Sequence, residues 1–165
     1  MTLNKILKNK KLPDSSIILK DFGKTDYCDS CQTAKITDEN VDKITTGIFN
    51  LPEWVHFLMN LRNSLVSFIG LKTGDKNNVH IAGFYPVGSK AVYFTVTDRS
   101  DSEIIMEEND THLKFRVSVM AIKKDGITTI YLTTIVKFNN RLGRIYFFIV
   151  KPFHRIIIQT LVKRV

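Results

Sequence analysis

The chain predicts an α+β fold: a curved antiparallel sheet wrapped around a long C-terminal helix, with two short helices after the first strand. Three observations carry that prediction. Leu142, Ile145, Tyr146, Ile149, Phe153, Ile156, Ile157 and Leu161 recur at the i, i+3, i+4, i+7 spacing of a helix with a broad apolar face, so residues 141 to 163 read as one helix. At 1.5 Å per residue that helix is about 35 Å long and needs an equally long surface to cover it. Upstream, period-two segments joined by short turn signals supply such a surface, and short consecutive hairpins make it antiparallel.

Taken in order, residues 1–25 are polar, basic and irregular, with Pro13 and Gly23 as breakers. Asp26 to Ile36 reads as the first strand. Thr37 or Asp38 then suits an N-cap, and Val41, Ile44 and Ile48 give a short helical stripe. Pro52 opens a second helix, carrying Trp54, Phe57, Leu58, Leu61, Leu65 and Phe68 and ending at Gly70. Strands follow over Val79 to Tyr85, Ala91 to Thr97 and Glu103 to Glu108.

In the strand from His112 to Ile122, Leu113, Phe115, Val117 and Val119 share the face toward the helix. His112, Lys114, Arg116 and Ser118 take the other face, toward solvent. Lys124-Asp125-Gly126 is a strong hairpin signal into Ile127 to Phe138, and Asn139-Asn140 leads into the last helix. The helices lie on one side of the sheet.

A chain of 165 residues, 44% hydrophobic and 24% charged, suits a single domain with a real core, here 1–165. The net charge of +8 would suit an anionic partner, but the cations are spread along the chain and no nucleic-acid-binding motif is visible, so no nucleic acid is expected. No secretory signal and no membrane span are read: the longest strongly apolar run, Ile145 to Val150, is followed at once by Lys151, His154 and Arg155. The expected compartment is the cytoplasm. Cys28 and Cys31 form one CDSC without a second pair, and on a strand their spacing sends them to opposite faces, so no metal site is expected.

Several words of the chain narrow the class. Asp26-Tyr27-Cys28-Asp29-Ser30, WVHFLMNLRNSLVSFIGLK from Trp54, HLKFRVSV from His112, TTIVKFNNRLGRIYF from Thr133 and KPFHRIIIQTLVKR from Lys151 together span roughly residues 12 to 165. They resemble an uncharacterised bacterial START-like (SRPBCC) family, domain of unknown function 2867. The resemblance implies the helix-grip fold and a hydrophobic ligand cavity. Related domains occur fused behind a Rossmann domain, which implies a Rossmann-type oxidoreductase as an alternative partner. The family pattern has an aromatic where this chain has Cys31 and an acidic residue where it has Lys114. It transfers no catalytic residue.

Nothing in the chain itself forms a recognisable catalytic set. His56, His80, His112 and His154 have no metal-ligand spacing, and there is no nucleophile elbow or phosphate loop, so no cofactor is expected. The expected function is binding of a small hydrophobic or amphipathic ligand between the last helix and the sheet. The alternatives are an enzyme that uses the same cavity, or an interaction module. The expected lining is Trp54, Phe57, Leu61, Arg62, Phe94, Phe115, Leu132, Thr134, Tyr146, Ile149 and Phe153, with Asn139 as a further polar candidate. These are inward positions of elements that enclose one volume, and Thr134 and Tyr146 offer hydroxyls that can orient a ligand.

Overall fold

A computed structural model describes residues 3–8, 12–50, 53, 83–91 and 94–165. Seven strands form one antiparallel sheet: β1 (Leu3–Lys8), β2 (Tyr27–Lys35), β3 (Lys90–Ala91), β4 (Phe94–Arg99), β5 (Glu103–Asn109), β6 (Leu113–Lys124) and β7 (Ile127–Phe138). Their spatial order is β1-β2-β7-β6-β5-β4-β3. Helix α1 spans Val41–Phe49 and helix α2 spans Arg141–Arg164. This is the helix-grip α+β arrangement, with the sheet curved around the long C-terminal helix.

Local chemistry explains the ends. Asp125 and Gly126 both take positive φ between β6 and β7, the backbone a two-residue hairpin requires. Asn40 caps α1 by accepting from the Lys43 N–H at 2.9 Å, not Thr37 or Asp38; the Thr37 hydroxyl accepts from the Glu39 N–H at 3.2 Å instead. Asn140 caps α2 in the same way, through the Gly143 N–H at 2.9 Å. Gly143 itself is required by a close approach, because a Cβ there would run into the His112 carbonyl.

Several expectations need correction. The N-terminal segment is not irregular throughout: Leu3–Lys8 adds an edge strand to β2. Ala91 to Thr97 is not one strand, because Lys90–Ala91 turns back on Phe94 and Thr95. Residues 83–85, expected as the end of a strand, are not strand, and the rest of that expected strand lies outside the described residues. The expected second helix, apart from Glu53, also lies outside them.

Register sorts the side chains into two faces. Phe115 pairs with Val136, Val117 with Thr134 and Val119 with Leu132; Asp29 pairs with Thr134 and Cys31 with Leu132. These residues share the concave face, which α1 and α2 cover. A large core joins Ile44 and Ile48 of α1 to Ile130 and Leu132 of the sheet and to Ile158, Leu161 and Val162 of α2. A smaller one joins Leu113, Val136, Tyr146 and Phe147. Asp42 pins α1 to the far edge: it pairs with both terminal nitrogens of Arg99, at 3.1 and 3.0 Å, and accepts from the Tyr85 N–H at 2.9 Å.

The opposite face was expected to be solvated, and it is not. Residues 12–22 cross it, and Ile18 and Phe22 pack on Ile105 and Ile135. Arg116, expected to point into water, is 7% exposed. Lys114 is likewise only half-buried, because its ammonium reaches Glu107 and sits over the Phe22 ring.

Candidate functional site

Helix α2 meets the sheet along a row spaced by four: Tyr146, Val150, His154, Ile158 and Val162. Tyr146 belongs to the small apolar core; Ile158 and Val162 belong to the large one. On β7 the same face runs Leu132, Thr134, Val136, with Leu132 in the large core and Val136 in the small one. His154 and Thr134 therefore both occupy the seam between the two cores. Asp29 joins them as the register partner of Thr134.

The seam is polar and incompletely paired. Thr134 Oγ1 and His154 Nε2 are shielded from solvent and have no hydrogen-bond partner among the described residues. A buried polar group left unpaired costs about 1–3 kcal/mol, so two of them at one seam stand out among the described residues. Burial lowers the His154 pKa to about 4; the Arg155 charge acts in the same direction and the Asp29 carboxylate opposes both. The imidazole is thus neutral near neutral pH, with one ring nitrogen able to accept and one to donate. Tyr27 donates to Asp29 Oδ2 at 3.2 Å and also meets Arg155, and burial raises the pKa of its phenol. Lys151 lies over the Tyr27 ring at 5.1 Å.

The expected lining residues divide into groups. Leu132, Thr134 and Tyr146 are buried on the concave side. Phe94 and Phe115 are half-buried and meet edge to face at 5.3 Å. Ile149 and Phe153 are half-buried. Trp54, Phe57, Leu61 and Arg62 lie outside the described residues. Asn139 does not reach the seam: it is exposed and bonds the Asp110 and His112 carbonyls in a turn.

The apolar stripe on α2 is rotated from the expected one. Leu142, Ile145 and Ile156 are about half exposed, while Tyr146, Phe147, Ile158, Leu161 and Val162 are buried. Thirteen of the 24 positions of this helix are apolar and they fall on both of its sides, so periodicity alone could not choose the inward face. His154, Asp29 and Tyr27 were missed as site residues. The four-residue row through His154 was the available signal.

Cys28 is exposed and Cys31 buried, as a spacing of three on a strand demands. Among the described residues no group of three His, Cys, Asp or Glu side chains could hold a metal ion. An unpaired imidazole, a threonine hydroxyl and a carboxylate can orient a ligand; among the described residues they form no nucleophile–base hydrogen bond. Helix α2 is long and apolar enough, by length and composition only, to cross a membrane. One of its faces is nevertheless part of the protein core.

Residues 22–161 match the model of a family described as protein of unknown function, DUF2867. No curated protein and no solved structure matches the chain.

Proposed function

Since the chain belongs to the DUF2867 family of proteins of unknown function, we propose from the geometry that it binds a small amphipathic molecule between α2 and the concave sheet. The observation that carries this reading is the pair of unpartnered buried atoms, Thr134 Oγ1 and His154 Nε2, at the seam of two apolar cores. Apolar walls with a few convergent polar groups are what small-molecule sites are made of. The neutral imidazole favours an uncharged head that can both donate and accept, such as a hydroxyl or an amide. The apolar part of the ligand would lie along Phe115, Leu132 and Tyr146.

Native mass spectrometry of freshly purified protein tests the reading. A co-purified mass should be present in the parent chain and weakened tenfold or more in a Thr134→Val, His154→Leu double variant that still folds. Parent protein without bound mass, and without thermal stabilisation by any of a panel of amphipathic compounds, would sink the ligand reading. Docking to a partner protein would then be the alternative.

A further inference from the structure

Helix α2 carries a second apolar surface that the described residues leave uncovered. Phe148 is 81% exposed, and Leu142, Ile145 and Ile156 are 49%, 55% and 54% exposed. Together with exposed Pro152 these positions run down the side of α2 opposite the row through His154. Only 28% of the helix's most apolar window is buried inside the protein. A solvated helix face normally carries polar residues of both signs; this one carries none that is acidic. From Arg141 to Arg164 the helix contains four arginines, two lysines and no aspartate or glutamate. Arg144, Lys151 and Arg155, at spacings of seven and four, form one edge of the exposed stripe.

Two carboxylates lie near that edge. Asp26 pairs with Lys24 at 3.1 Å, accepts from the Phe138 N–H at 2.9 Å and also feels the Arg144 charge, while Asp29 accepts from Tyr27. With Lys24 included, four cations face these two carboxylates, so the edge stays positive.

We infer that this outward face of α2 docks on an anionic lipid bilayer, with Phe148, Ile145 and Ile156 entering the acyl boundary and Arg144, Lys151 and Arg155 meeting headgroup phosphates. Charge complementarity and an apolar stripe on one helix are the pattern of a helix lying in the membrane interface. The helix lies on the surface and does not span it, because its other face, with Tyr146, Phe147, Ile158 and Leu161, is committed to the core. A nucleic acid or an acidic protein would use the cations and has no need of the apolar stripe beside them.

Vesicle co-sedimentation of the full chain tests this directly. The protein should bind phosphatidylcholine vesicles containing phosphatidylglycerol, release as salt rises, and ignore pure phosphatidylcholine. Removing two cations, Arg144→Ala with Arg155→Ala, should lower partitioning about fivefold per cation. Phe148→Asp should lower it tenfold or more, while Ile36→Ser, 76% exposed on another part of the surface, should leave it unchanged. The melting temperature of Phe148→Asp should equal the parent's. A large fall would mean that the rest of the chain covers this face, and would overturn the proposal. So would absence of binding to anionic vesicles, or self-association of the parent chain that Phe148→Asp abolishes. Capture by polyanions that ignores Phe148→Asp would reduce the surface to a charge effect and equally overturn it.

Discussion

The two faces of the sheet handle buried polar groups in opposite ways. On the outer face, Glu103 is 1% exposed yet accepts from Ser16 Oγ at 2.6 Å, from the Ile17 N–H at 2.7 Å and from Ser118. Arg116 donates to Glu107 and to the carbonyls of Ile18 and Lys20, and stacks over Phe22. Apart from Ser118–Glu103 and Arg116–Glu107, which lie within the sheet, these contacts tie residues 12–22 to it. On the concave face, Thr134 Oγ1 and His154 Nε2 are as deeply shielded and have no partner among the described residues. A satisfied buried network holds a structure together. Unpaired groups in the same molecule, gathered at one seam, have no such structural use, and that contrast is why the concave side is the candidate site.

The largest effect should come from the outer network. Arg116→Ala strips Glu107 of a buried partner and two carbonyls of their donor, and should cost about 3–5 kcal/mol in chemical denaturation. Glu103→Ala leaves three donors without an acceptor and should cost about 2–4 kcal/mol in the same measurement. A loss below about 1 kcal/mol in either variant would mean that residues 12–22 are loosely held, and the contrast between the faces would fail.

The concave face should show itself through pH. In the folded chain His154 titrates at about 4, against an ordinary 6.5. Between those values the unfolded chain binds the proton and the folded one does not, so stability falls as pH drops from 6.5 to 4 and the penalty is absent above that window. The full loss is about 3 kcal/mol. Asp26, Glu39 and Asp98 have carboxyls lowered mainly by hydrogen bonds, from 3.8, 4.5 and 3.8, so their loss begins only at the bottom of that window, with Glu39, and deepens below it. His154→Leu should therefore flatten the stability curve between pH 6.5 and 4 and leave the steeper acid limb in place. An unchanged slope in that window would show that the imidazole is hydrated.

The smallest effect should be that of Thr134→Val. Its hydroxyl has no partner to lose, so unliganded stability should stay within about 1 kcal/mol of the parent, or rise. A loss well beyond that would reveal a hydrogen bond and remove Thr134 from the site.

The sequence by itself determined the class of the fold. The turn at Asp125-Gly126, the alternation in β6 and β7 and the length of the last helix are local signals, and each element appears where those signals put it. The concave assignment of Leu113, Val117, Leu132 and Thr134 followed from period two, because a strand has only two faces to choose from. Tertiary structure decided the rest. Which side of α2 faces the sheet depended on packing, since its apolar residues fall on both sides of the helix and make two candidate stripes. Whether Lys114 and Arg116 meet water depended on residues 12–22 returning across the outer face, a contact nearly a hundred positions away in the chain, as the Arg116–Ile18 separation of 98 shows. The seam of Asp29, Thr134 and His154 joins three distant segments. Local patterns carry no information on such encounters, because they are set by the shape of the whole sheet and the helix it grips.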